Sequence, residues 1–287
     1  MNNDSKRVFE ALDWASSILE EANCETRVGQ LLMQYVLDVD YTHLVMAMQD
    51  EVAAADLQKF EEAVHTHIGG MPVQYITHHE EFYGRSFYVD ENVLIPRPET
   101  EELVHYSLQR MRKLFGHDDI QVADIGTGSG AIAISMKKEC AKLHVTATDI
   151  SAAALAVAKR NAKALEADIQ FLEGDLTAPI AHQKWDVVLS NPPYIAQSEV
   201  AVMDDSVIKH EPHTALFAEE DGLILYRKLA ENLPALMNRP GLIGVEIGYL
   251  QGNAVAGFFR QHVEHAKVEV VKDMFGQDRM VFCELTK

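Results

Sequence analysis

The sequence predicts an α/β protein: a mostly parallel sheet with helices on both faces, preceded by a small helical bundle. From about residue 120 onward, short apolar segments alternate with helical patterns, which is typical of right-handed strand–helix–strand units. Residues 1 to about 75 show apolar side chains at helical spacing alone. A hairpin pattern separates the two parts, and 287 residues are enough for two domains.

The N-terminal residues carry the pattern of a bundle of short helices. Apolar side chains recur at intervals of three and four residues at Val8, Leu12, Ala15 and Leu19. Further helical patterns run over 26–36, after Asp40 as a candidate N-cap, and over 56–68 with a stop at Gly69-Gly70. Short connections between such helices favour a bundle. We therefore assign residues 1–75 to an N-terminal helical domain.

A β-hairpin is predicted directly after this domain. Residues 82–89 are mostly aromatic or β-branched and surround Gly84, which suits a turn. Pro98 then stands where a helix can begin, because proline has a helical φ and lacks only an N–H that the first turn leaves unpaired. We assign residues 76–98 to a β-hairpin linker and residues 99–287 to the α/β domain.

The α/β domain contains seven predicted strands. They are 122–125, 143–148, 169–172, 185–189, 242–247, 268–271 and 280–284. In open, mostly parallel sheets, ligands bind beyond the carboxyl ends of the strands. The residues that directly follow the strands are therefore the candidates for a functional site.

The charge and the hydropathy of the chain argue against two classes of partner. The formal net charge is −19, and nucleic-acid affinity comes mostly from Lys and Arg, so no nucleic acid is expected as main substrate. No apolar run approaches the roughly 20 residues that span a membrane, and we expect a cytoplasmic protein. Residues 1–80 hold 14 acidic and four basic side chains, either as a solvated surface or as a docking face for a basic partner. No metal site is expected, because the histidines lack an accompanying ligand pattern.

The fourth strand ends in Ser190-Asn191-Pro192-Pro193-Tyr194, which forms a corner with a distinct chemistry. The two prolines cannot donate to a sheet, so they end the strand rigidly. The Asn191 side-chain oxygen and the Pro192 carbonyl can each accept a proton of a planar NH2 group, on which Tyr194 can stack. The corner resembles that of methyltransferases acting on amino or amide nitrogens. Asn191, Pro192 and Tyr194 are the candidate catalytic residues, and with Pro193 they form the candidate substrate site. A stiff turn around a buried tyrosine is the alternative.

A glycine-rich turn after the first strand predicts a cofactor site. Asp124-x-Gly126-x-Gly128-x-Gly130 lets a ligand approach the backbone, although its spacing differs from the GxGxxG of dinucleotide binders. Carboxylates end the next two strands, where one can accept ribose hydroxyls. Nothing is placed to hold a pyrophosphate, so S-adenosylmethionine fits better than a dinucleotide. The predicted cofactor-binding residues are Gly126, Thr127, Gly128, Ser129, Gly130, Asp149, Ile150, Asp175, Leu176 and Asn191.

The chain resembles the HemK-type release-factor glutamine methyltransferases over nearly its full length. Beyond the corner, the motifs that carry the resemblance are Gly70-x-Pro72-x-Gln74-Tyr75-Ile76, Glu81-Phe82-x-Gly84, Leu94-Ile95-Pro96-Arg97-Pro98-Glu99-Thr100-Glu101, Glu211-Pro212-x-x-Ala215-Leu216, Asp221-Gly222-Leu223-x-x-Tyr226-Arg227, Glu246-x-Gly248-x-x-Gln251 and Asp273-x-x-Gly276-x-x-Arg279. The segment 97–100 favours this family over the related ribosomal-protein glutamine methyltransferases. His78 and the stretch 218–220 depart from the family pattern in predicted loops.

The resemblance implies a Rossmann-like methyltransferase domain that uses S-adenosylmethionine, and an N-terminal domain that docks the substrate. It implies methylation of the side-chain nitrogen of the glutamine in the Gly-Gly-Gln motif of peptide-chain release factors. We expect the protein to be a monomer. Arg97 is a candidate substrate-binding residue, with a structural salt bridge as the alternative. Two other classes stay open: a nucleic-acid adenine N6-methyltransferase, because a flipped adenine also suits the corner, and a non-catalytic scaffold.

Overall fold

The computed structural model describes residues 6–115, 119–196, 198, 200 and 205–286. In chain order its helices and strands are α1 (Val8–Glu21), α2 (Arg27–Leu37), α3 (Tyr41–Met46), α4 (Ala54–Ile68), α5 (Val73–Thr77), β1 (Glu80–Phe82), β2 (Arg85–Phe87), α6 (Pro98–Leu114), β3 (Gln121–Ile125), α7 (Ala131–Glu139), β4 (His144–Asp149), α8 (Ala152–Ala164), β5 (Ile169–Glu173), β6 (Trp185–Ser190), α9 (Asp205–His210), α10 (His213–Leu216), α11 (Glu219–Gly222), α12 (Ile224–Asn232), β7 (Met237–Glu246), α13 (Gly252–His262), β8 (Ala266–Lys272) and β9 (Asp278–Leu285).

The chain divides into two units. The first contains Met1–His78 together with Asp204–His210, and the second contains His79–Met203 together with Glu211–Lys287. Helix α9 therefore belongs to the first unit, although it lies far along the chain from α1–α5. No helix among the described residues is both long enough and apolar enough to cross a membrane.

The first unit is helical, as the apolar spacing predicts. Leu19, Leu32 and Phe60, from α1, α2 and α4, are fully buried in one apolar cluster. The Asp40 side chain caps α3, because its Oδ1 accepts a hydrogen bond from the His43 N–H at 2.8 Å. Residues 73–77, beyond the predicted helix stop at Gly69-Gly70, form one further short helix, α5. Pro72 is its N-cap, with a φ of −54° that suits the start of a helix.

The second unit contains the predicted seven-stranded, mostly parallel sheet, in the order β5-β4-β3-β6-β7-β9-β8. Strands β3 to β7 run parallel to one another, whereas β9 pairs antiparallel with both β7 and β8. The chain runs from β3 outward to β5 and then returns to the other side of β3 at β6. This reversal is a topological switch point, where open α/β sheets bind ligands.

Two apolar clusters cover the two faces of this sheet. Val122 of β3 belongs to a cluster that includes side chains of α6 and α7, such as Leu103. Its neighbour Ala123 belongs to a second cluster with side chains of α12 and α13, such as Phe259. Because successive side chains of a strand point to opposite faces, helices on both faces bury the central strands β3 and β6 almost completely. The predicted α/β class is therefore confirmed.

Several element boundaries differ from the predicted ones. The sequence pattern predicts a helix over residues 221–237, but α12 begins only at Ile224, because Glu220 and Asp221 both have a φ of +53°, in the left-handed region. The strand predicted over 242–247 begins earlier, at Met237. The hairpin is confirmed, with β1 and β2 paired antiparallel on either side of Gly84.

Candidate active site

A cavity of about 490 Å³ lies at the carboxyl end of the parallel strands. Its lining includes the turn after β3, the end of β4, the segment after β5 and the corner after β6. The sequence-predicted site residues that line it are Arg97, Gly126, Thr127, Gly128, Ser129, Asp149, Ile150, Asp175, Leu176, Asn191, Pro192 and Pro193. Gly130 and Tyr194 do not belong to the described lining.

The glycine-rich turn is held against β4 by its own backbone. The N–H groups of Gly126 and Thr127 both donate to the carbonyl oxygen of Thr148, each at 2.9 Å. The Gly128 N–H donates to Asp149 Oδ2 at 2.9 Å. A Cβ on Gly128, whose φ is +54°, would meet no atom within 4 Å. The backbone at Gly128 therefore borders open space, as a closely approaching ligand requires.

Acceptors and apolar side chains lie next to this turn. Asp149 Oδ1 accepts a hydrogen bond from the Ser151 N–H at 2.9 Å. Each carboxylate oxygen has further acceptor capacity, so Asp149 can still accept from hydroxyl groups. Asp175 is exposed beside the half-buried Leu176, and Ile150 is 64% exposed. This combination suits a ribose and a flat heterocycle.

The charge of the lining fits a nucleoside that carries no phosphate. Among the described lining residues, the acidic side chains are Asp149, Asp175 and Glu219, and the basic ones are Arg97 and Lys228. A lining with more carboxylates than cations favours a positive ligand over a pyrophosphate. S-adenosylmethionine, with its sulfonium charge and single nucleoside, fits this donor and acceptor set. No group of three or more His, Cys, Asp or Glu among the described residues is placed to hold a metal ion.

Arg97 forms the ion pair that was the alternative to substrate binding. Its Nη2 lies 2.5 Å from Oε1 of Glu211. The Glu211 side chain is 1% exposed and the Arg97 side chain 35%, so the guanidinium still reaches solvent at the cavity. A guanidinium carries five N–H donors, and this pair leaves some of them for a ligand. The ion pair and a substrate contact are therefore compatible.

Gly130 lies beneath the turn rather than at the cavity. Its φ is +86°, and a Cβ would come within 2.9 Å of Ile134 Cδ1 and 3.3 Å of Ala158 Cβ. Gly130→Ala should lower the free energy of unfolding by about 2 kcal/mol or more, from backbone strain and overpacking. The control is Gly257→Ala in α13, where a Cβ would meet no described atom within 4 Å. This substitution should raise the free energy of unfolding by up to about 1 kcal/mol, because alanine favours a helix more than glycine does. Urea denaturation measures both, and equal changes would contradict the close packing at Gly130.

The Asn191 amide is oriented by partners inside the protein. Its Nδ2 donates to Thr100 Oγ1 at 3.1 Å, and Thr100 Oγ1 donates to Glu246 Oε2 at 2.6 Å. Because Nδ2 is engaged in this way, Oδ1 is the amide atom left to accept from a ligand. Pro192, which is buried, and Pro193 continue the cavity wall from Asn191.

Tyr194 lies behind the corner. Its carbonyl oxygen accepts a hydrogen bond from Gln251 Nε2 at 2.9 Å, and its ring packs at Gly248, where a Cβ would lie 3.4 Å from Tyr194 Cδ2. Burial raises the pKa of Tyr194 well above its ordinary value, and the charge of Glu246 raises it further. The stacking of this ring on a substrate amide stays a prediction.

Sequence reasoning did not assign site roles to Thr100 and Glu246. Both stand in quoted motifs, but they are 146 residues apart, and no local pattern shows that they meet. Thr100 is 5% exposed and Glu246 is 1% exposed. Burial raises the pKa of Glu246 to about 7, whereas the hydrogen bond from Thr100 and the charge of Arg279 oppose the shift.

Asp124, the first residue of the glycine motif, is a fully buried carboxyl. Its Oδ2 accepts hydrogen bonds from Thr127 Oγ1 at 2.6 Å and from the Ala133 N–H at 3.2 Å, while Oδ1 has no partner among the described residues. Burial raises the pKa of Asp124 to about 7, although both hydrogen bonds lower it. The folded protein therefore binds this proton more tightly than the unfolded chain does.

The stability of the protein should depend on the titration of Asp124. A raised pKa contributes stability that is present at low pH and is lost as the pH rises through about 7. Relative to Asp124→Asn, whose amide does not titrate, the wild type should lose up to about 1.4 kcal/mol per pH unit between pH 5 and pH 7. Denaturant titrations of both proteins across this range measure the difference. Parallel pH profiles would show that Asp124 is ionised throughout.

Two family models match different parts of the chain. The model described as PrmC N-terminal domain matches residues 10–77, and the model described as Methyltransferase small domain matches residues 107–216. Among solved structures, a methyltransferase from Pyrococcus furiosus superposes with a TM-score of 0.53 at 17% identity, covering 71% of this chain and 91% of that chain. This similarity shows the fold alone.

Curated relatives match almost the whole chain. The release factor glutamine methyltransferase of Bacillus anthracis is 47% identical over 281 residues, covering 97% of this chain and 99% of that protein. The release factor glutamine methyltransferase of Bacillus subtilis strain 168 is 43% identical over 279 residues, covering 96% and 97%. Sequence identity above 40% over nearly the full length of both chains is sufficient to assign the family. The chain therefore belongs to the release factor glutamine methyltransferases.

Proposed function

We propose that this protein transfers a methyl group from S-adenosylmethionine to the side-chain nitrogen of the glutamine in the Gly-Gly-Gln motif of peptide-chain release factors. The observation that carries the proposal is one cavity that joins the glycine-rich turn, Asp149 and the Asn191 corner. The names of the relatives favour a release factor over a ribosomal protein or a nucleic acid as substrate. The excess of acidic side chains also argues against a nucleic acid.

The cofactor would be held by the residues beside β3, β4 and β5. Asp149 would accept the ribose hydroxyls, Asp175 the amino group of adenine, and Ile150 and Leu176 would pack on the rings. The turn 126–130 would let the cofactor approach the backbone, with Gly130 supporting the turn from below. Bound there, S-adenosylmethionine supplies a methyl group made electrophilic by its sulfonium.

The substrate amide would be held by the corner. A carboxamide nitrogen is a poor nucleophile, because its lone pair is delocalised into the carbonyl. Asn191 Oδ1 and the Pro192 carbonyl would each accept one proton of the NH2 group, which increases electron density on nitrogen and aims it. Pro193 would keep the corner rigid, and Tyr194 would stack on the amide plane. The amide proton would leave to water after transfer, when the nitrogen is cationic and acidic.

The other parts of the chain receive supporting roles in this proposal. Residues 1–75 would form the domain that docks the release factor, with their acidic side chains attracting basic groups of the partner. Residues 76–98 would link this domain to the methyltransferase domain over residues 99–287. Arg97 would contact the substrate with the donors that Glu211 leaves free. The protein would act as a monomer in the cytoplasm, where release factors work on ribosomes.

The direct test incubates the purified protein with labelled S-adenosylmethionine and a purified release factor. Mass mapping should find one added methyl group on the glutamine of the Gly-Gly-Gln peptide. A release factor in which glutamate replaces this glutamine is the matched control, since it lacks the NH2 group and should take up no label. Label in DNA, RNA or a ribosomal protein, with none in the release factor, would refute the assignment.

A further inference from the structure

A buried chain of polar side chains runs from the cavity wall into the protein. Asn191 lines the cavity, and its Nδ2 donates to Thr100 Oγ1 at 3.1 Å. Thr100, near the start of α6, lies 2.6 Å from Oε2 of Glu246, the last residue of β7. Thr100 and Glu246 are both almost completely buried. Three separate elements therefore meet in one hydrogen-bonded cluster at the candidate substrate site.

The direction of these hydrogen bonds depends on the single proton of the Thr100 hydroxyl. An ionised carboxylate only accepts, so Thr100 then donates its proton to Glu246. The Thr100 oxygen can now only accept, which requires Nδ2 of Asn191 to face it and leaves Oδ1 for a ligand. If Glu246 carries a proton on Oε2, it donates to Thr100, and Thr100 can donate to Asn191 Oδ1 instead. Ionised Glu246 thus fixes the amide orientation, whereas protonated Glu246 also permits the reverse one.

We propose that Glu246 is a positioning residue that, directly and through Thr100, selects the Asn191 orientation in which Oδ1 accepts from the substrate. The inference rests on the proposed function, because only an acceptor holds an NH2 group. A glutamine or other planar carboxamide is the class of substrate that this orientation serves. In the reverse orientation, the Asn191 NH2 would meet the substrate NH2, and neither group could accept well.

The surroundings of Glu246 place its titration in the accessible pH range. Burial raises its pKa to about 7, the hydrogen bonds from Thr100 and Asn191 and the charge of Arg279 lower it, and Glu99 raises it. Arg279 is itself held by Asp273, with Nε 3.2 Å from Oδ2. The hydroxyl of Tyr226 donates to the backbone oxygen of Glu246 at 2.7 Å, and the phenol of Tyr194 is also close enough to interact with the carboxylate. As the pH falls below about 7, protonation of Glu246 should therefore reduce the correctly oriented fraction of Asn191.

The first test compares Thr100→Val with Thr100→Ser. Valine has the shape of threonine but no hydroxyl, so Nδ2 loses its acceptor Thr100 Oγ1, Glu246 loses its link through Thr100, and kcat should fall by up to about 10²-fold. The affinity for S-adenosylmethionine, measured by calorimetry, should change less than about threefold, because Thr100 acts on the substrate side of the cavity. Thr100→Ser keeps the hydroxyl and should retain most of the lost turnover. Equal kcat values for the two variants would overturn the inference.

The second test follows pH. The kcat of the wild type should rise with pH up to about 7 and then level off. In Glu246→Gln, whose side chain cannot titrate, kcat should not rise over this pH range. In protein labelled with ¹⁵N-asparagine, the side-chain NH2 resonance of Asn191, identified by its loss in Asn191→Ala, should shift over the same range. It should not shift in Glu246→Gln. The inference would be overturned if kcat of Glu246→Gln still rose with pH up to about 7. It would also be overturned if the Asn191 resonance of the wild type did not shift with pH.

The experiments distinguish a failure of the proposed function from a failure of the positioning role of Glu246. A wild-type protein that binds S-adenosylmethionine but never methylates a release factor refutes the proposed function, while the Asn191 resonance still decides the positioning role. Should Thr100→Val fail to fold, the wild-type titration and Glu246→Gln decide between a positioning role and a structural one. A merely structural Glu246 would affect stability alone and would leave the pH dependence of kcat unchanged.

Discussion

Asn191→Ala should lower kcat for release-factor methylation by about 10²–10³-fold while leaving the dissociation constant of S-adenosylmethionine within about threefold. The substitution removes the side-chain oxygen that would hold one amide proton and aim the nitrogen. It also frees Thr100 from the hydrogen bond that Nδ2 donates. The cofactor contacts expected at the turn 126–130 and at Asp149 stay in place. Single-turnover methylation measures the first quantity and titration calorimetry the second.

A matched asparagine on the surface controls for the loss of a side-chain amide. Asn253, in α13, is exposed and does not line the cavity. Asn253→Ala should have wild-type turnover and unchanged stability, because alanine suits a helix at least as well. Near-wild-type kcat in Asn191→Ala would remove positioning by the corner as the source of catalysis. A loss of cofactor affinity as large as the loss of kcat would assign Asn191 to cofactor binding instead.

Asp149→Ala should weaken the binding of S-adenosylmethionine about 10²-fold. Hydrogen bonds to a charged group contribute about 1.5–3 kcal/mol each, and about 2.7 kcal/mol corresponds to two powers of ten in affinity. The carboxylate has two expected tasks: it would accept the ribose hydroxyls, and it accepts the Gly128 N–H at 2.9 Å. Losing it removes an acceptor for the ligand and a support of the turn. Titration calorimetry of the purified variant measures the effect.

Two further variants separate these tasks. Asp149→Asn keeps one oxygen and the shape of the side chain, so its affinity should fall between those of the wild type and Asp149→Ala. Asp168→Ala removes an exposed carboxylate that precedes β5, near the amino end of that strand, and should bind the cofactor like the wild type. Unchanged affinity in Asp149→Ala would exclude a ribose contact at this position.

Much of the fold followed from local patterns. The seven strands appear where short apolar segments predicted them, and α7, α8 and α13 lie in segments predicted as helical, whereas α9, α10 and α11 between β6 and β7 were not predicted. Boundaries were less accurate where the backbone conformation was not visible in the side-chain pattern. The left-handed conformations of Glu220 and Asp221 delay the start of α12, and α5 forms beyond the predicted helix stop at Gly69-Gly70.

The candidate site was predictable to the extent that it follows strand ends. Asn191 and Asp149 meet at one cavity because β6 and β4 flank β3 in a parallel sheet, which brings their carboxyl ends together. Tyr194 is the residue for which this reasoning was weakest. Sequence order places it on the corner, but its ring packs behind the corner at Gly248.

By itself the sequence determined the chemistry that is available and the strand ends that present it: a diproline corner, a glycine-rich turn and carboxylates after successive strands. The tertiary structure alone decided which long-range partners control those groups. Thr100 and Glu246 meet across 146 residues, and no periodicity encodes such a contact. The physical reason is that hydrogen-bond direction and burial arise only when distant elements pack together. A buried carboxyl such as Glu246 has a raised pKa because of its surroundings, not because of its neighbours in the chain.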